Sequence, residues 1–214
     1  MQRYLVIYNP IAGRGRVKKH WPEVELALIK AGVEFDVEAT TAPLEASSLA
    51  EKAQSKYSAV IAVGGDGTVH EVVNGLLRAS NEGETLPMGV IPLGNGDDFA
   101  KVIPPETVIG GKVFDWRVAV EKIVKGNTKL FDVGRLTGDS SGNDPQYFMN
   151  GMDIGFGAQA ALNFNAVPSY LTGMAAYLAA IMKTLIDYRI PNVNIQIDDQ
   201  PPFEKSTTMT VVTS

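Results

Sequence analysis

Short apolar runs alternate with segments of helical periodicity along the first 125 residues, and this alternation restricts the fold more than any other feature of the chain. Strands are predicted over residues 3–8, 33–40, 58–63 and 88–91, of which 3–8 and 58–63 have the pattern of buried strands and 33–40 alternates, and helices over residues 17–31, 44–56, 69–79 and 115–125. Strands that alternate with helices through short links form a parallel sheet covered on both faces. The first part of the chain, residues 1–127, is therefore predicted to be an α/β domain.

The pattern changes after residue 127. Strand-like runs then dominate, over residues 128–137, 146–154, 193–198 and 206–212, with one helix predicted among them over residues 169–188. We therefore predict a second, β-rich domain over residues 128–214. Five apolar side chains share one face of its helix: Met174, Tyr177, Leu178, Ile181 and Leu185. Packing of this face into the core is the favoured interpretation, and a wall for acyl chains or a membrane-docking surface is the alternative.

The composition excludes several classes of function. The chain carries 24 acidic and 19 basic side chains, a net charge of −5, so no nucleic-acid partner is predicted. The absence of cysteine excludes disulfides and a cysteine nucleophile, and two histidines leave few ways to build a histidine metal site. The N-terminal residues lack the pattern of a signal peptide, and the longest nearly apolar stretch, residues 171–182, is too short to span a bilayer. A cytoplasmic protein, at most peripheral at a membrane, is predicted.

The segment GGDGT, residues 64–68, lies between a predicted buried strand and a predicted helix. Glycines let backbone N–H groups approach a ligand closely, and the start of a helix favours an anion such as phosphate. Asp66 would repel that anion unless a cation or a transferable proton lies between them, and a magnesium-bound nucleotide meets this requirement. An alternative explains part of the pattern, because Thr68 and Glu71 also fit the T-x-x-E capping box of a helix start.

Two further glycine-rich turns follow predicted strands: NPIAGRG at residues 9–15 and PLGNGDDFA at residues 92–100. Each alone is compatible with an ordinary turn; the glycines around Asn95 suit positive φ, and Asp97 or Asp98 suits a helix N-cap. In parallel sheets, ligands bind outside the carboxyl ends of the strands, where all three turns fall. We name residues 9–15, 64–68 and 92–100 the first, second and third glycine loops. The chain lacks the phosphate-loop, dinucleotide-binding and protein-kinase motifs.

Three motifs occur in a fixed order: NP-x-A-G at residues 9–13, GGDGT-x-x-E-V-V-N-G at 64–75 and P-L-G-x-G-x-D-F-A at 92–100. Together they resemble the diacylglycerol kinase catalytic domain family, which includes bacterial lipid kinases and sphingosine kinases. The resemblance spans the whole chain, and residues 131–134 resemble the opening strand of the family's second domain. GGDGT alone is less specific, because NAD kinases and phosphofructokinases share a similar loop. The family fold is an α/β domain followed by a β-sandwich.

The resemblance implies ATP binding by the glycine loops and phosphoryl transfer to a lipid hydroxyl at a membrane surface. It implies a role in nucleotide binding for Asn9, Gly13, Thr40, Gly64, Gly65, Asp66, Gly67, Thr68, Glu71, Asn95 and Gly96. Asp66, Asp98 and Asp132 are implied to form an acidic network around Mg²⁺. Catalysis would then rest on positioning and charge neutralisation, as in phosphoryl transfer generally.

The chain departs from the family pattern in two places. The family usually has Thr at the position of Asn95 and Asn at that of Asp97, and a carboxylate at Asp97 would repel phosphate unless it binds metal or turns away. Bacterial lipid kinases also carry an acidic G-D-G-E-like segment near the C-terminus that supplies the general base, and this sequence contains none. We therefore expect a truncated chain with an incomplete second domain. Asp66 is the candidate base among these residues, as proposed for the sphingosine branch.

Two alternative functions stay open at this point. One is a kinase of the GGDGT class that phosphorylates NAD or a soluble metabolite, and the other is a nucleotide-binding sensor without turnover. The sequence does not identify the lipid substrate. The candidates are diacylglycerol, phosphatidylglycerol, sphingoid bases and undecaprenol-like alcohols. A homodimer also stays open, because an incomplete β-rich domain exposes a strand edge.

Overall fold

A computed structural model describes residues 3–81, 83–103, 115–138, 144–168, 171 and 173–213. The chain divides into two compact units, Met1–Asn150 and Gly151–Ser214. Each unit has its own set of strands and helices, and the glycine loops all belong to the first.

A four-stranded parallel sheet forms the centre of the first unit. Its strands are β1 (Arg3–Tyr8), β2 (Glu34–Ala39), β3 (Ala59–Gly64) and β4 (Met88–Pro92), in the spatial order β2-β1-β3-β4. Val6 of β1 pairs with Val37 of β2 on one side and with Ile61 of β3 on the other. All four strands lie within two residues of their predicted bounds, so the parallel α/β sheet is confirmed.

The described residues of the first unit form the helices α1 (Ala12–Lys30), α2 (Glu45–Glu51), α3 (Asp66–Ser80), α4 (Asp98–Val102) and α5 (Trp116–Lys125). Helix α4 was not predicted, because its single turn is too short to show helical periodicity. The remaining four were predicted, although α1 and α3 begin earlier than expected. The early start of α1 includes a break at residues 13–15, whose backbone angles are not helical.

Side chains of alternate strand residues point to opposite faces of the sheet, as the pleat requires. Leu5 and Ile7 pack in one buried cluster with side chains of α2 and α3. Val6 and Ile61 pack in a second cluster with side chains of α1 and α5. The first unit therefore has three layers, and burial on both faces explains the apolar runs of β1, β3 and β4, whereas β2 at the sheet edge alternates apolar and acidic residues.

Helix α3 is held closely against α2. A Cβ atom added to Gly75 of α3 would fall 2.1 Å from the carbonyl oxygen of Ser47. The missing side chain therefore permits direct contact between the two helix backbones, which fixes the direction in which α3 leaves the second glycine loop.

Residues 128–138 and 144–150 belong to the same compact unit as the α/β sheet. Strands β5 (Gly134–Leu136) and β6 (Gln146–Phe148) form an antiparallel pair. The ring of Phe131 lies edge-on to that of Phe99, with ring centroids 5.4 Å apart. The compact units consequently divide at residues 150 and 151, whereas the sequence placed a domain boundary at 127 and 128. Compact units are not the same as independently folding domains, so the predicted domain boundary at residues 127 and 128 stays a prediction.

The second unit contains β7 (Gly151–Gly155), α6 (Phe156–Asn165), α7 (Gly173–Asp187), β8 (Asn192–Ile195), β9 (Phe203–Ser206) and β10 (Met209–Thr213). Strand β7 pairs with β10 and β8 pairs with β9, both antiparallel. The strand-rich region is confirmed, but the prediction of a single helix within it was wrong. Helix α6 directly follows β7. Its alanines favour a helix, but the strand-like residues immediately before them hid this pattern in the sequence.

The predicted apolar face of α7 is not the face that packs. Ala176, Ala180 and Thr184 are buried, and the Asn163 side chain of α6 donates a hydrogen bond to the Thr184 hydroxyl at 2.9 Å. Met174 and Leu185 are 72% and 60% exposed, so the interpretation of their face as core was wrong. Small side chains allow α6 and α7 to approach closely, and this contact outweighs burial of the larger side chains. In the described residues, none of the helices is both long and apolar enough to cross a membrane.

Candidate functional site: three glycine loops at one edge of the sheet

The first glycine loop has an unusual backbone. Gly13, Arg14 and Gly15 all have positive φ, at 59°, 57° and 83°. A left-handed conformation costs a residue other than glycine about 1–2 kcal/mol, so the loop is held there by its neighbours. The side chain of Asn9 assists by accepting a hydrogen bond from the Ile11 N–H at 3.2 Å.

The three loops contact one another through their backbones. A Cβ atom on Gly13 would lie 2.1 Å from the carbonyl oxygen of Leu93, which joins the first loop to the third. A Cβ atom on Gly94 would lie 2.3 Å from the Cα of Gly65, which joins the third loop to the second. The expectation that these loops meet at the carboxyl edge of the sheet is therefore confirmed, and Gly94 is required there because a side chain would force the loops apart.

Asp66 lies at the start of α3, half-buried, and faces the third loop. One carboxylate oxygen, Oδ1, accepts the Phe99 N–H at 3.1 Å. The other, Oδ2, lies 2.8 Å from the position that a Cβ atom on Gly96 would occupy. The carboxylate therefore points toward polar backbone at the loops and not into the apolar core.

Asp97 turns back onto its own loop. Its backbone is left-handed, with φ of 53°, and its carboxylate accepts the Gly94 N–H at 2.8 Å. The Arg16 guanidinium donates to the Gly94 carbonyl oxygen at 2.6 Å, so both backbone groups of Gly94 are bound by side chains. Burial raises the pKa of Asp97 above its ordinary value, and the nearby Asp66 charge raises it further, whereas the Gly94 hydrogen bond and the Arg16 charge lower it.

The raised pKa of Asp97 predicts how stability changes with pH. The folded state binds more protons than the unfolded state between the two pKa values, so the free energy of unfolding falls as pH rises through that window. Asp97→Asn removes this contribution. The stability of the variant relative to the parent protein is expected to increase as pH is raised from about 4 to about 7. Urea unfolding at four pH values measures this difference, and a difference independent of pH contradicts it.

The capping-box interpretation of Thr68 and Glu71 was wrong. Helix α3 has Gly65 at its N-cap without a side-chain hydrogen bond, which places Thr68 inside the first turn. The Glu71 carboxylate instead accepts the Ala46 N–H of α2 at 3.2 Å. The Thr68 hydroxyl is buried and has no hydrogen-bond partner among the described residues. Its oxygen lies 2.4 Å from the position that a Cβ atom on Gly64 would occupy.

The remaining predicted nucleotide contacts lie around the same edge. Thr40 directly follows β2, is buried, and donates its backbone N–H to the Tyr8 carbonyl oxygen at 2.9 Å. Asn95, Gly96 and Gly67 are exposed, and no atom lies within 4 Å of the position of a Cβ on Gly67. Of the predicted set, Asn9, Gly13, Gly65, Asp66 and Gly96 take part in the loop contacts described above, whereas Thr68 and Glu71 face the interior and α2.

The predicted magnesium ligands do not form a cluster. In the part of the chain that the structure describes, no three aspartate, glutamate or histidine side chains are grouped closely enough to hold a metal ion. Asp98 accepts a hydrogen bond from the Lys101 ammonium at 2.5 Å, and Asp132 is exposed. A magnesium role for Asp66, Asp98 and Asp132 stays a prediction, and it would need oxygen ligands from bound phosphates or water.

The sequence model of the diacylglycerol kinase catalytic domain matches residues 3–136, which include all three glycine loops. This chain belongs to the diacylglycerol kinase catalytic domain family. It is 35% identical over 204 residues to a diacylglycerol kinase of Bacillus subtilis, an alignment that covers 92% of this chain and 60% of the relative. It is 31% identical over 200 residues to a diacylglycerol kinase of Staphylococcus epidermidis, covering 92% of this chain and 58% of that protein.

The diacylglycerol kinase family fold is also seen in solved structures. A structure of a diacylglycerol kinase from Bacillus anthracis superposes with a TM-score of 0.66 at 24% identity, covering 99% of this chain and 64% of that chain. At this identity the comparison supports the fold alone. The chain spans about 60% of the length of the curated relatives it matches.

Three residues with a structural role at or near the glycine loops of this diacylglycerol kinase family member were not predicted. Gly94 joins the second and third loops, Arg16 binds the Gly94 carbonyl oxygen, and Asn74 holds the backbone of Tyr147. Gly94 and Asn74 stand inside the quoted family motifs, which was the available signal. Arg16 had none, because a basic residue beside a loop is typical of any solvated surface.

Proposed function

We propose that the protein is an ATP-dependent lipid kinase that transfers the γ-phosphoryl group to the hydroxyl of a diacylglycerol-like or sphingoid lipid. The observation that carries the proposal is the backbone contact of the three glycine loops at one sheet edge, in a chain of the diacylglycerol kinase family. Several loops rich in N–H groups and poor in side chains suit a polyphosphate better than a neutral ligand.

The second glycine loop supports the nucleotide assignment. Gly67 lies in the first turn of α3, a helix of 15 residues, and is exposed with open space where a side chain would stand. The apo fold therefore does not require glycine at this position. A phosphate that approaches the N–H groups of the helix start does require it, because a methyl group would keep the phosphate at a distance.

Asp66 is the general base in the proposed reaction. In the proposed reaction the lipid hydroxyl oxygen attacks the γ-phosphorus, the bond from phosphorus to the oxygen bridging to the β-phosphate breaks, and ADP leaves. The hydroxyl proton passes to the Asp66 carboxylate, whose position is fixed by the Phe99 N–H. Magnesium would neutralise phosphate charge in this reaction, and Asp66 and Asp98, which both lie next to Gly96, would contribute oxygen ligands.

The lipid assignment rests on the family and on the second unit. Met174, Leu178, Met182 and Leu185 of α7 are more than half exposed. A face of this kind supports contact with acyl chains or with a membrane surface. The proposal is therefore a cytoplasmic enzyme that binds peripherally to membranes, and a homodimer that covers the same face is the competing arrangement.

A transfer assay tests the proposal. The protein expressed from its complete reading frame is incubated with ATP labelled at the γ-phosphate, Mg²⁺, and either diacylglycerol vesicles or NAD. Label in the lipid is the expected result. Label in NADP alone would show a metabolite kinase, and tight ATP binding in calorimetry without label in either product would show a sensor.

Gly67→Ala provides a prediction that separates nucleotide binding from folding. The substitution adds a methyl group in open space on a helix, so the melting temperature is expected to stay the same or to rise slightly. Calorimetry is expected to show a loss of ATP affinity of about tenfold or more, equivalent to about 1.4 kcal/mol. Gly15→Ala serves as a strained control: Gly15 is half-buried, no atom lies within 4 Å of the position of its Cβ, and its φ is 83°. Unchanged ATP affinity in Gly67→Ala would place the phosphates elsewhere.

A further inference from the structure

The carboxylate of Asp97 binds a backbone N–H group of the third glycine loop. It accepts the Gly94 N–H at 2.8 Å, and its Oδ1 atom lies 3.8 Å from the position of a Cβ on Gly65. The side chain therefore lies where the second and third loops touch. An anion is present at the loops even without a nucleotide.

The Asp97 carboxylate lies among charges of both signs, and its burial opposes the charged form. Arg16, which directly follows the first loop, and Lys101 of α4 attract it, while Asp66 repels it. The residue also adopts a left-handed backbone with φ of 53°, which brings its side chain back toward Gly94. The loop thus supplies one hydrogen bond and two nearby positive charges to a group that carries the same sign of charge as phosphate.

We propose that Asp97 is an affinity-determining residue whose carboxylate acts as an internal substitute for a nucleotide phosphate oxygen on the third glycine loop. This inference rests on the proposed nucleotide-binding function. A nucleoside triphosphate must displace the carboxylate from Gly94 or bind beside it against charge repulsion. Either route weakens the binding of ligands with several phosphates more than that of ligands with one.

A purely structural role makes a different prediction. If the hydrogen bond from Gly94 serves only to close the loop, Asp97→Asn keeps the acceptor oxygen and leaves ATP affinity unchanged, and Asp97→Ala removes the bond and weakens ATP binding. If the carboxylate is an internal anion, both variants bind ATP more tightly, because both remove the charge. The two substitutions therefore distinguish a loop-closing bond from a competing anion.

The test is calorimetry of Mg-ATP and of AMP with the whole chain and its Asp97→Asn and Asp97→Ala variants. Asp97→Asn is expected to bind ATP about tenfold more tightly than the parent protein, with a smaller change for AMP. Glu121→Gln, an exposed residue on α5, controls for the change of net charge. ATP binding by the parent protein with equal or weaker binding by Asp97→Asn overturns this inference and leaves the proposed function standing. Absence of ATP binding in the parent and in every variant overturns both.

Discussion

Asn74→Ala is expected to lower the melting temperature by about 6–12 °C, the largest stability effect that we predict for a single substitution. Asn74 is 3% exposed in α3, and its side chain forms two hydrogen bonds with the backbone of Tyr147 in β6, both 2.9 Å long. Alanine removes both bonds in a buried place, with an expected cost of about 3 kcal/mol. The same amide also donates to the His70 carbonyl oxygen, so its loss affects the first turns of α3 as well.

Thermal unfolding followed by circular dichroism measures this effect. Asn127→Ala, at an exposed asparagine of the same unit, is the matched control and is expected to change the melting temperature little. A shift in Asn74→Ala no larger than that of the control would mean that β6 does not depend on the amide.

Asp66→Asn is expected to reduce phosphoryl transfer by about 100-fold or more, the largest effect on activity. An amide keeps the size of the side chain and an oxygen that can accept the Phe99 N–H. It cannot accept the proton of an attacking hydroxyl, and it has no negative charge with which to bind a metal ion. Turnover is therefore expected to fall while the melting temperature stays close to that of the parent protein.

The assay uses the protein from its complete reading frame with diacylglycerol vesicles and Mg-ATP. Calorimetry on the same preparation separates loss of ATP binding from loss of the chemical step. Asp115→Asn, which changes a carboxylate at the N-cap of α5, controls for the removal of one negative charge from the unit. Retention of more than one-tenth of the turnover in Asp66→Asn would place the general base on another residue.

The sheet of the first unit could be predicted because β1, β3 and β4 are buried on both faces, and because β2 at the edge alternates apolar and acidic residues. Strands buried on both faces form uninterrupted apolar runs, as in residues 3–8, and the loops after them then fall at one edge by topology alone. The family motifs supplied the residue types at that edge. The contact between Gly65 and Gly94 follows from the order of the strands, since β3 and β4 are neighbours.

Side-chain directions in the site could not be predicted in the same way. The sequence places Asp97 in the third loop, but its hydrogen bond to Gly94 depends on a left-handed backbone that no periodicity reveals. The capping box at Thr68 failed for a related reason: α3 begins three residues earlier than predicted, at Asp66, so the threonine is no longer at the cap. Local patterns identify an element and its approximate limits, whereas tertiary contacts decide the partner of each polar side chain.

The second unit shows the same limit for apolar side chains. Helical spacing grouped the large residues of α7 on one face, and that face was interpreted as core. The buried face instead carries Ala176, Ala180 and Thr184, because α6 packs on it. Without α6 in the prediction, nothing in the sequence indicated that a small-residue face would be preferred.

The contacts that join the first and third glycine loops have a consequence for synthesis on the ribosome. Gly13 meets Leu93, and Arg16 binds Gly94 across 78 positions of the chain. A nascent polypeptide that has emerged only as far as α3 contains the first two loops but lacks the third, against which the left-handed turn at Arg14 is held. The turn can therefore settle only after residue 94 has left the exit tunnel, and any earlier translational arrest leaves a product in which the three glycine loops do not meet.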